Sequence, residues 1–220
     1  MTSRIASLAS MLFALCLTLW ITALGAAGVT AAFVFATLPD LHIAIPAYEA
    51  FQPGDPKAHG LLASGKILER VFTAADFAQF ALVPLTLLWL IASIAARRAA
   101  GDDDSRFRRP GNIVRLALTL LAAGLFIIHA AMLAPRFNRH LRSYWAAAQA
   151  GQHDSAAVSK AEMDLLHPRM SLILQTNFVL LLVVAGMSGW MSVSHAPSRR
   201  LGQELDEPLL ARPLKQPTSP

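Results

Sequence analysis

The chain has 220 residues, of which 55% are hydrophobic and 15% are charged, and its mean hydropathy is +0.46. A soluble domain of this size carries more charge, so the composition favours an integral membrane protein. The net charge of +5 and the pI near 10 do not indicate nucleic-acid binding, because the basic residues form short clusters beside apolar stretches rather than a basic helix with interleaved aromatic side chains. We therefore expect the lipid bilayer as a partner, and no nucleic acid.

Four apolar stretches dominate the chain, at roughly 8–38, 71–96, 113–133 and 172–193, and each reaches the length of about 20 helical residues that crosses a hydrocarbon core. They predict an all-α fold, a four-transmembrane-helix bundle that occupies residues 1–193 as one domain. The first stretch is longer than the apolar region of a signal peptide, so we expect it to be an uncleaved membrane anchor.

The connecting segments predict short extramembrane helices. Apolar residues at helical spacing indicate a helix over 58–70 before the second span, and another over 159–166 before the fourth. The third helix is predicted to extend beyond the membrane as far as Gly151, a typical helix-ending residue. The Pro-rich, polar tail at 194–220 cannot bury enough apolar area to order itself, so we predict a disordered cytoplasmic tail.

Orientation follows from the density of Lys and Arg near the ends of the spans. The short linker after the second span carries Arg97, Arg98, Arg106, Arg108 and Arg109, and the tail carries Arg199, Arg200, Arg212 and Lys215. Arg115 also belongs to the basic clusters that we expect just outside the spans. The basic residues of the loops 39–70 and 134–171 are spread over longer segments. The positive-inside rule then predicts a multi-pass protein of the cell membrane with both termini in the cytoplasm, and basic anchors just outside the spans.

Small residues mark faces where two helices could approach closely. The first span carries Ala23, Ala27 and Ala31 at intervals of four, and the fourth carries Gly186 and Gly189. Small residues favour close backbone packing in lipid. They predict contacts within the bundle, or a homo- or hetero-oligomer through the same Gly and Ala faces.

Polar residues near the ends of the spans form the candidate site. Asp76 and Gln79 are three residues apart and share one face of the second helix. By the predicted topology, His129, Arg136 and His167 lie at the same, outer end of the bundle. We predict that Asp76 faces the bundle interior, within hydrogen-bond or ion-pair reach of at least one of these basic residues, because an isolated carboxylate in a membrane is costly.

Several chemistries remain open for this cluster. A metal site could use His129, His167 and Asp76, with Met132 and Met170 as soft ligands for Cu(I). A haem pair needs two histidines facing across helices, and only His129 lies well inside a span. Asp76 could instead carry a proton or ion relay, or it could simply pair with a nearby Arg while the histidines lie at the interface.

The sequence contains no pattern that identifies a reaction. Ser64, Gly65 and Lys66 lack the Gly-rich first half of a phosphate-binding loop, and no Gly-x-Ser-x-Gly occurs. Asp76 has no second intramembrane Asp with which to form a proteolytic pair. We therefore expect a non-enzymatic protein without a cofactor.

Four segments carry a resemblance to a known family: AAFVFATL at 31–38, HGLLASGKILERVFTAADF at 59–77, MLAPRFNRHLRSYW at 132–145 and EMDLLHPRMSLILQTN at 162–177. Their order resembles that of the TMEM205-like group of small four-span membrane proteins (DUF4149). The family's His is usually followed by Ser three residues later, whereas Met170 stands there in this chain. The resemblance implies fold and membrane location, and it implies no established biochemical activity.

Overall fold

The computed structural model describes residues 2–51, 55–99 and 108–193. This part of the chain is helical and contains no strand, which confirms the all-α fold. The helices are α1 Thr2–Thr37, α2 Pro56–Ala99, α3 Arg108–Ile128, α4 Ala134–Gln149 and α5 His153–Val193. A π turn at His129–Leu133 joins α3 to α4. Four stretches are long and apolar enough to cross a membrane: Arg4–Leu41, Lys57–Ala99, Pro110–Gln149 and His153–Met191.

The first helix, α1, has a buried side and an exposed side, and both are apolar. Its inward residues recur at spacings of three and four, which places them on one helical stripe: Ala6, Ala9, Phe13, Cys16, Leu17, Trp20, Leu24 and Ala27. Large apolar residues on its other side are exposed: Ile5, Leu8, Met11, Leu15 and Leu19. Since lipid is as apolar as a protein core, exposed leucines on a spanning helix contact acyl chains rather than water.

The interior of the bundle is built where α1 packs along α2 and where α3 packs on α5. Trp20, Leu90, Leu181 and Val184 are fully buried there, and Phe126 closes the group. Close packing of such side chains is the main attraction between helices in lipid, where no hydrophobic effect separates one helix from another.

A second apolar cluster lies where the start of α2, the end of α4 and the start of α5 meet, at the end of the bundle that we call outer after the predicted orientation. We call it the cap; its buried members are Tyr48, Phe51, Leu62, Ala147, Ala148 and Ala156. The segment between α1 and α2, with 3₁₀ turns at Leu38–Leu41 and Pro46–Tyr48, folds onto the extensions of α2 and α4. The cap gives the apolar residues of this Pro-rich segment a place away from water.

The predicted short helices are not separate elements. The helix at 58–70 is the first part of α2, and that at 159–166 lies within α5, which continues through Pro168. In both cases the helix continues without a break, so each membrane span and its extension form one continuous helix. The predicted end at Gly151 is confirmed: α4 ends at Gln149 and Gly151 has φ +66°. The tail at 194–220 lies outside the described residues.

The close-packing prediction for Gly186 and Gly189 is wrong within this chain. A Cβ added at either would meet no atom within 4 Å, so neither glycine is in close contact with another helix. Close packing of glycine occurs instead at Gly60, where a Cβ would lie 2.5 Å from the carbonyl oxygen of Leu38. Whether the open α5 face contacts a second molecule stays a prediction.

Arg115 also departs from its predicted place. We expected it among the basic anchors outside the spans, but its side chain is only 6% exposed. It follows the start of α3 by two turns, on the face that carries the buried Asn112 and Thr119. This i, i+3, i+4 relation turns the guanidinium into the bundle rather than toward the surface.

Candidate functional site

A chain of polar contacts links three helices at the outer end of the bundle. Trp20 Nε1 donates to Gln79 Oε1 at 3.0 Å, and Gln79 Nε2 donates to Asp76 Oδ1 at 3.4 Å. His129 Nε2 lies 3.4 Å from the same carboxylate oxygen. Trp20, Gln79 and His129 are buried, whereas the Asp76 side chain is 21% exposed. Asp76 therefore faces the bundle interior and contacts His129.

The histidine of this contact stands on the π turn. There the backbone N–H of Ala134 bonds to the carbonyl of His129, five residues back. Pro135 follows at the start of α4; it has no N–H for the carbonyl of Ala131, and its ring clashes with an α-helical turn there. A π turn widens the helix by one residue and relieves this clash, and such turns often occur at functional sites.

The Asp76–His129 pair opens onto a cavity of about 160 Å³, which we call the outer cavity. Glu69, Thr73 and Asp76 line it from α2 at spacings of four and three, so one helical face supplies all three. On α5, Met163, His167 and Met170 line it with the same periodicity. Asn138 and apolar side chains of α4 complete the wall.

His167 lies at the rim of the outer cavity rather than beside Asp76. Its side chain is exposed, and its ring is tilted against that of Phe137 at 6.4 Å between centroids. The sequence placed this residue at the correct end of the bundle, while the structure brings only His129 to the carboxylate.

The prediction that Arg136 joins the cluster is wrong. Arg136 is exposed, does not line the cavity, and makes no contact with Asp76. The buried face of α4 runs through Ala134 and Leu141. Since each residue turns the helix by about 100°, Arg136 points to the opposite side. The arginine of α4 that does approach an acid of the cavity wall is Arg142, whose Nε lies 3.9 Å from Glu69 Oε1 in a partly solvated pair.

The ligand set suggested for a metal changes accordingly. Met132 is 54% exposed on the outer surface of the bundle and is not part of the site. Among the described residues, no three His, Cys, Asp or Glu side chains are close enough to hold a metal ion. Met170 does line the cavity, together with Met163, which the sequence analysis did not single out.

Sequence reasoning also missed Trp20, Glu69 and Asn138. Trp20 carried a usable signal, because a tryptophan in the middle of an apolar span has an N–H that needs an acceptor, and Gln79 offers one. Glu69 and Asn138 carried none, since their inward placement depends on how far the helices extend beyond the membrane. Comparison with known proteins finds no matching family model, no similar curated protein and no similar solved structure.

Proposed function

We propose that this chain is a non-enzymatic multi-pass membrane protein of the TMEM205-like kind, and that it handles protons at the Asp76–His129 pair. The observation that supports this most is the 3.4 Å contact between a carboxylate and a buried imidazole inside a membrane span. Ionisable groups are rare in spans and typically mark proton or ion pathways.

The two groups have the properties of a proton-binding pair. Asp, Glu and His side chains form the proton relays of membrane pumps and transporters. His129 Nδ1 is buried and has no hydrogen-bond partner among the described residues, so its bonding capacity is unused. Both groups line the outer cavity, and the Asp76 side chain is 21% exposed there.

Proton uptake into liposomes tests this proposal. The full chain is reconstituted with a pH-sensitive dye inside, and uptake is driven by a potassium diffusion potential. Replacement of the carboxylate by Asp76→Asn should reduce the uptake rate at least tenfold, because the amide cannot exchange the proton. The matched control is Asp164→Asn, which removes an exposed carboxylate paired with Lys160 in the extension of α5. Equal uptake by wild type and Asp76→Asn would exclude the proposal.

Copper binding is the second candidate, and one observation favours it. Met163, His167 and Met170 share one face of α5 and line the outer cavity together, and thioether and imidazole ligands suit Cu(I). Titration of the purified chain with Cu(I) under reducing conditions should then show one site that is lost in Met163→Leu with Met170→Leu. The control is Met132→Leu, on the outer surface. Copper binding that survives the double change would exclude this alternative.

A further inference from the structure

A second cavity, of about 250 Å³, lies at the other end of the bundle. Arg97 lines it from α2, Arg115 from α3, Ser10 from α1 and Ser188 from α5. Arg97 follows Asp76 by 21 positions in the same helix, which separates them by about 32 Å. We call this space the inner cavity; it is distinct from the site proposed above.

The guanidinium of Arg115 is more than nine-tenths buried and only partly satisfied. Its Nη1 donates to Asn112 Oδ1 at a long 3.4 Å, and its carbon lies 4.9 Å from the ring centroid of Phe13. Its Nε is buried and has no hydrogen-bond partner among the described residues. Arg97 Nη2 donates to Ser10 Oγ at 2.9 Å, so this second cation also ends on a neutral group.

The inner cavity therefore gathers positive charge from two helices. Two guanidinium groups line it, and within the described ranges none of its lining side chains is Asp or Glu. A buried charge without a counter-ion is strongly unfavourable. An anion that pairs with these two arginines must fit a cavity of about 250 Å³.

We propose that the inner cavity binds a phosphate-bearing anion between Arg97 and Arg115. Guanidinium groups present planar pairs of donors that match phosphate oxygens, and they do so more effectively than lysine. Basic pockets between membrane helices are a recognised form of site for anionic lipid headgroups. A lipid headgroup and a free phosphate share this chemistry, and the experiment separates them.

Replacing Gly189 tests the site by filling the cavity, whereas replacing an arginine tests it by removing charge. Gly189 lines the inner cavity, and a Cβ built on it meets no atom within 4 Å. Gly189→Leu should therefore fill the cavity while leaving both arginines in place. Gly186→Leu is its matched control, because this position is equally open and does not line the cavity.

The experiment measures the thermal unfolding midpoint of the full chain in a neutral detergent. Three titrations are compared: inorganic phosphate, short-chain phosphatidylglycerol and short-chain phosphatidylcholine. A ligand that binds only the folded state raises the midpoint saturably. We expect phosphatidylglycerol to do so, with at least tenfold weaker apparent affinity in Arg97→Gln, Arg115→Gln and Gly189→Leu. Arg136→Gln, which removes an exposed charge at the outer end, and Gly186→Leu should respond as wild type does.

The outcomes distinguish a lipid headgroup from a free phosphate, and two of them would reject the proposed site. Saturable stabilisation by inorganic phosphate as well indicates a free anion, and stabilisation by phosphatidylglycerol alone indicates a lipid headgroup. No stabilisation by either, or equal response in wild type, Arg97→Gln and Gly189→Leu, overturns the proposal. Should Arg115→Gln fail to fold, Arg97→Gln and Gly189→Leu still give the answer, because neither removes a fully buried group.

Discussion

Asp76 and His129 stabilise one another because neither has many other hydrogen-bond partners: Asp76 accepts one bond from Gln79, and His129 Nδ1 has no partner among the described residues. The carboxylate accepts from Gln79 and contacts the imidazole through a single oxygen, and Gln79 in turn accepts from Trp20. In a low-dielectric interior such a chain of contacts is stronger than in water, and the loss of one member leaves its neighbours unsatisfied.

Replacing Asp76 by Ala should lower the free energy of unfolding by about 1–3 kcal/mol, the cost of leaving buried polar partners without an acceptor. The partial exposure of Asp76 keeps the loss below that of a fully buried ion pair. The measurement is the unfolding equilibrium in mixed detergent with SDS. Asp164→Ala is the control, since its pair with Lys160 is exposed and should change stability by about 0–1 kcal/mol. Equal stability of the two variants would contradict the described network.

His59 holds the cap together in a similar way. The Ile45 N–H donates to its Nδ1 at 3.1 Å, and its Nε2 lies 3.1 Å from the carbonyl oxygen of Phe51. The two contacts fix the tautomer with the proton on Nε2, because Nδ1 acts as acceptor. His59 thus connects α2 to both sides of the preceding turn.

Replacing His59 by Leu should loosen the segment before α2 while leaving the spans intact. Amide hydrogen exchange is expected to rise at Ile45 by about tenfold or more, which corresponds to the loss of one hydrogen bond of about 1.4 kcal/mol. Exchange within the spans, for example at Leu90, serves as the internal control. Unchanged exchange at Ile45 would mean that apolar packing of Tyr48 and Phe51 alone holds the segment.

At the scale of elements, α2 packs tightly against the 3₁₀ turn Leu38–Leu41 that follows α1. The helical Gly60 faces the carbonyl of Leu38 and the Cα of Pro39, each 2.5 Å from where a Cβ would stand. Both are backbone atoms, so neither can move aside without shifting the 3₁₀ turn that follows α1. Glycine is required here by space and not by backbone conformation.

Gly60→Ala should therefore destabilise the protein by about 1–3 kcal/mol or more, as overpacking does. Gly186→Ala, also within a helix but with nothing near its Cβ position, should instead stabilise by about 0.5–1 kcal/mol through helix propensity. Thermal unfolding in detergent measures both. The prediction fails if the two variants shift the midpoint in the same direction.

The elements differ in how far the sequence reveals them. The four spans are visible in the apolar runs, because length and lack of charge alone determine whether a helix crosses a bilayer. The π turn cannot be recognised in the sequence, since no local propensity specifies it. The side of α4 on which Arg136 lies depends on this turn, so it could not be predicted either. Burial of Arg115 was missed for a related reason: a cation near the end of a span is typical of an interfacial anchor, and only the packing of α3 against α5 and α2 places Arg115 inside, against the ring of Phe13.

At the scale of the whole molecule, two cavities with ionisable residues in their walls occupy opposite ends of one apolar bundle. The 44 residues of α2 are about 66 Å long, against a hydrocarbon core of about 30 Å. The excess is long enough to carry the cap beyond a bilayer, and α4 and α5 pack on each other beside it. Within the described ranges the folded cap lies at one end of the bundle.

Cysteine labelling tests which end faces the cytoplasm. Single cysteines at Ser155 and Ser198, in a chain with Cys16→Ser, are exposed to an impermeant maleimide in intact cells. Ser155 is exposed in the extension of α5, and we expect it to react while Ser198 reacts only after lysis, because the Arg density places both termini inside. Labelling of Ser198 but not of Ser155 in intact cells would reverse the orientation.

The π turn should be detectable in an alignment of homologous sequences. It holds one residue more than an ordinary turn, so it amounts to a single insertion between His129 and Pro135. A homologous chain without the insertion would show a one-residue gap here when aligned, and its α3 and α4 would continue as one regular α-helix. Where His129 and Pro135 occur together, we expect no such gap. Where both are missing, the gap and the loss of the acid on α2 should appear together.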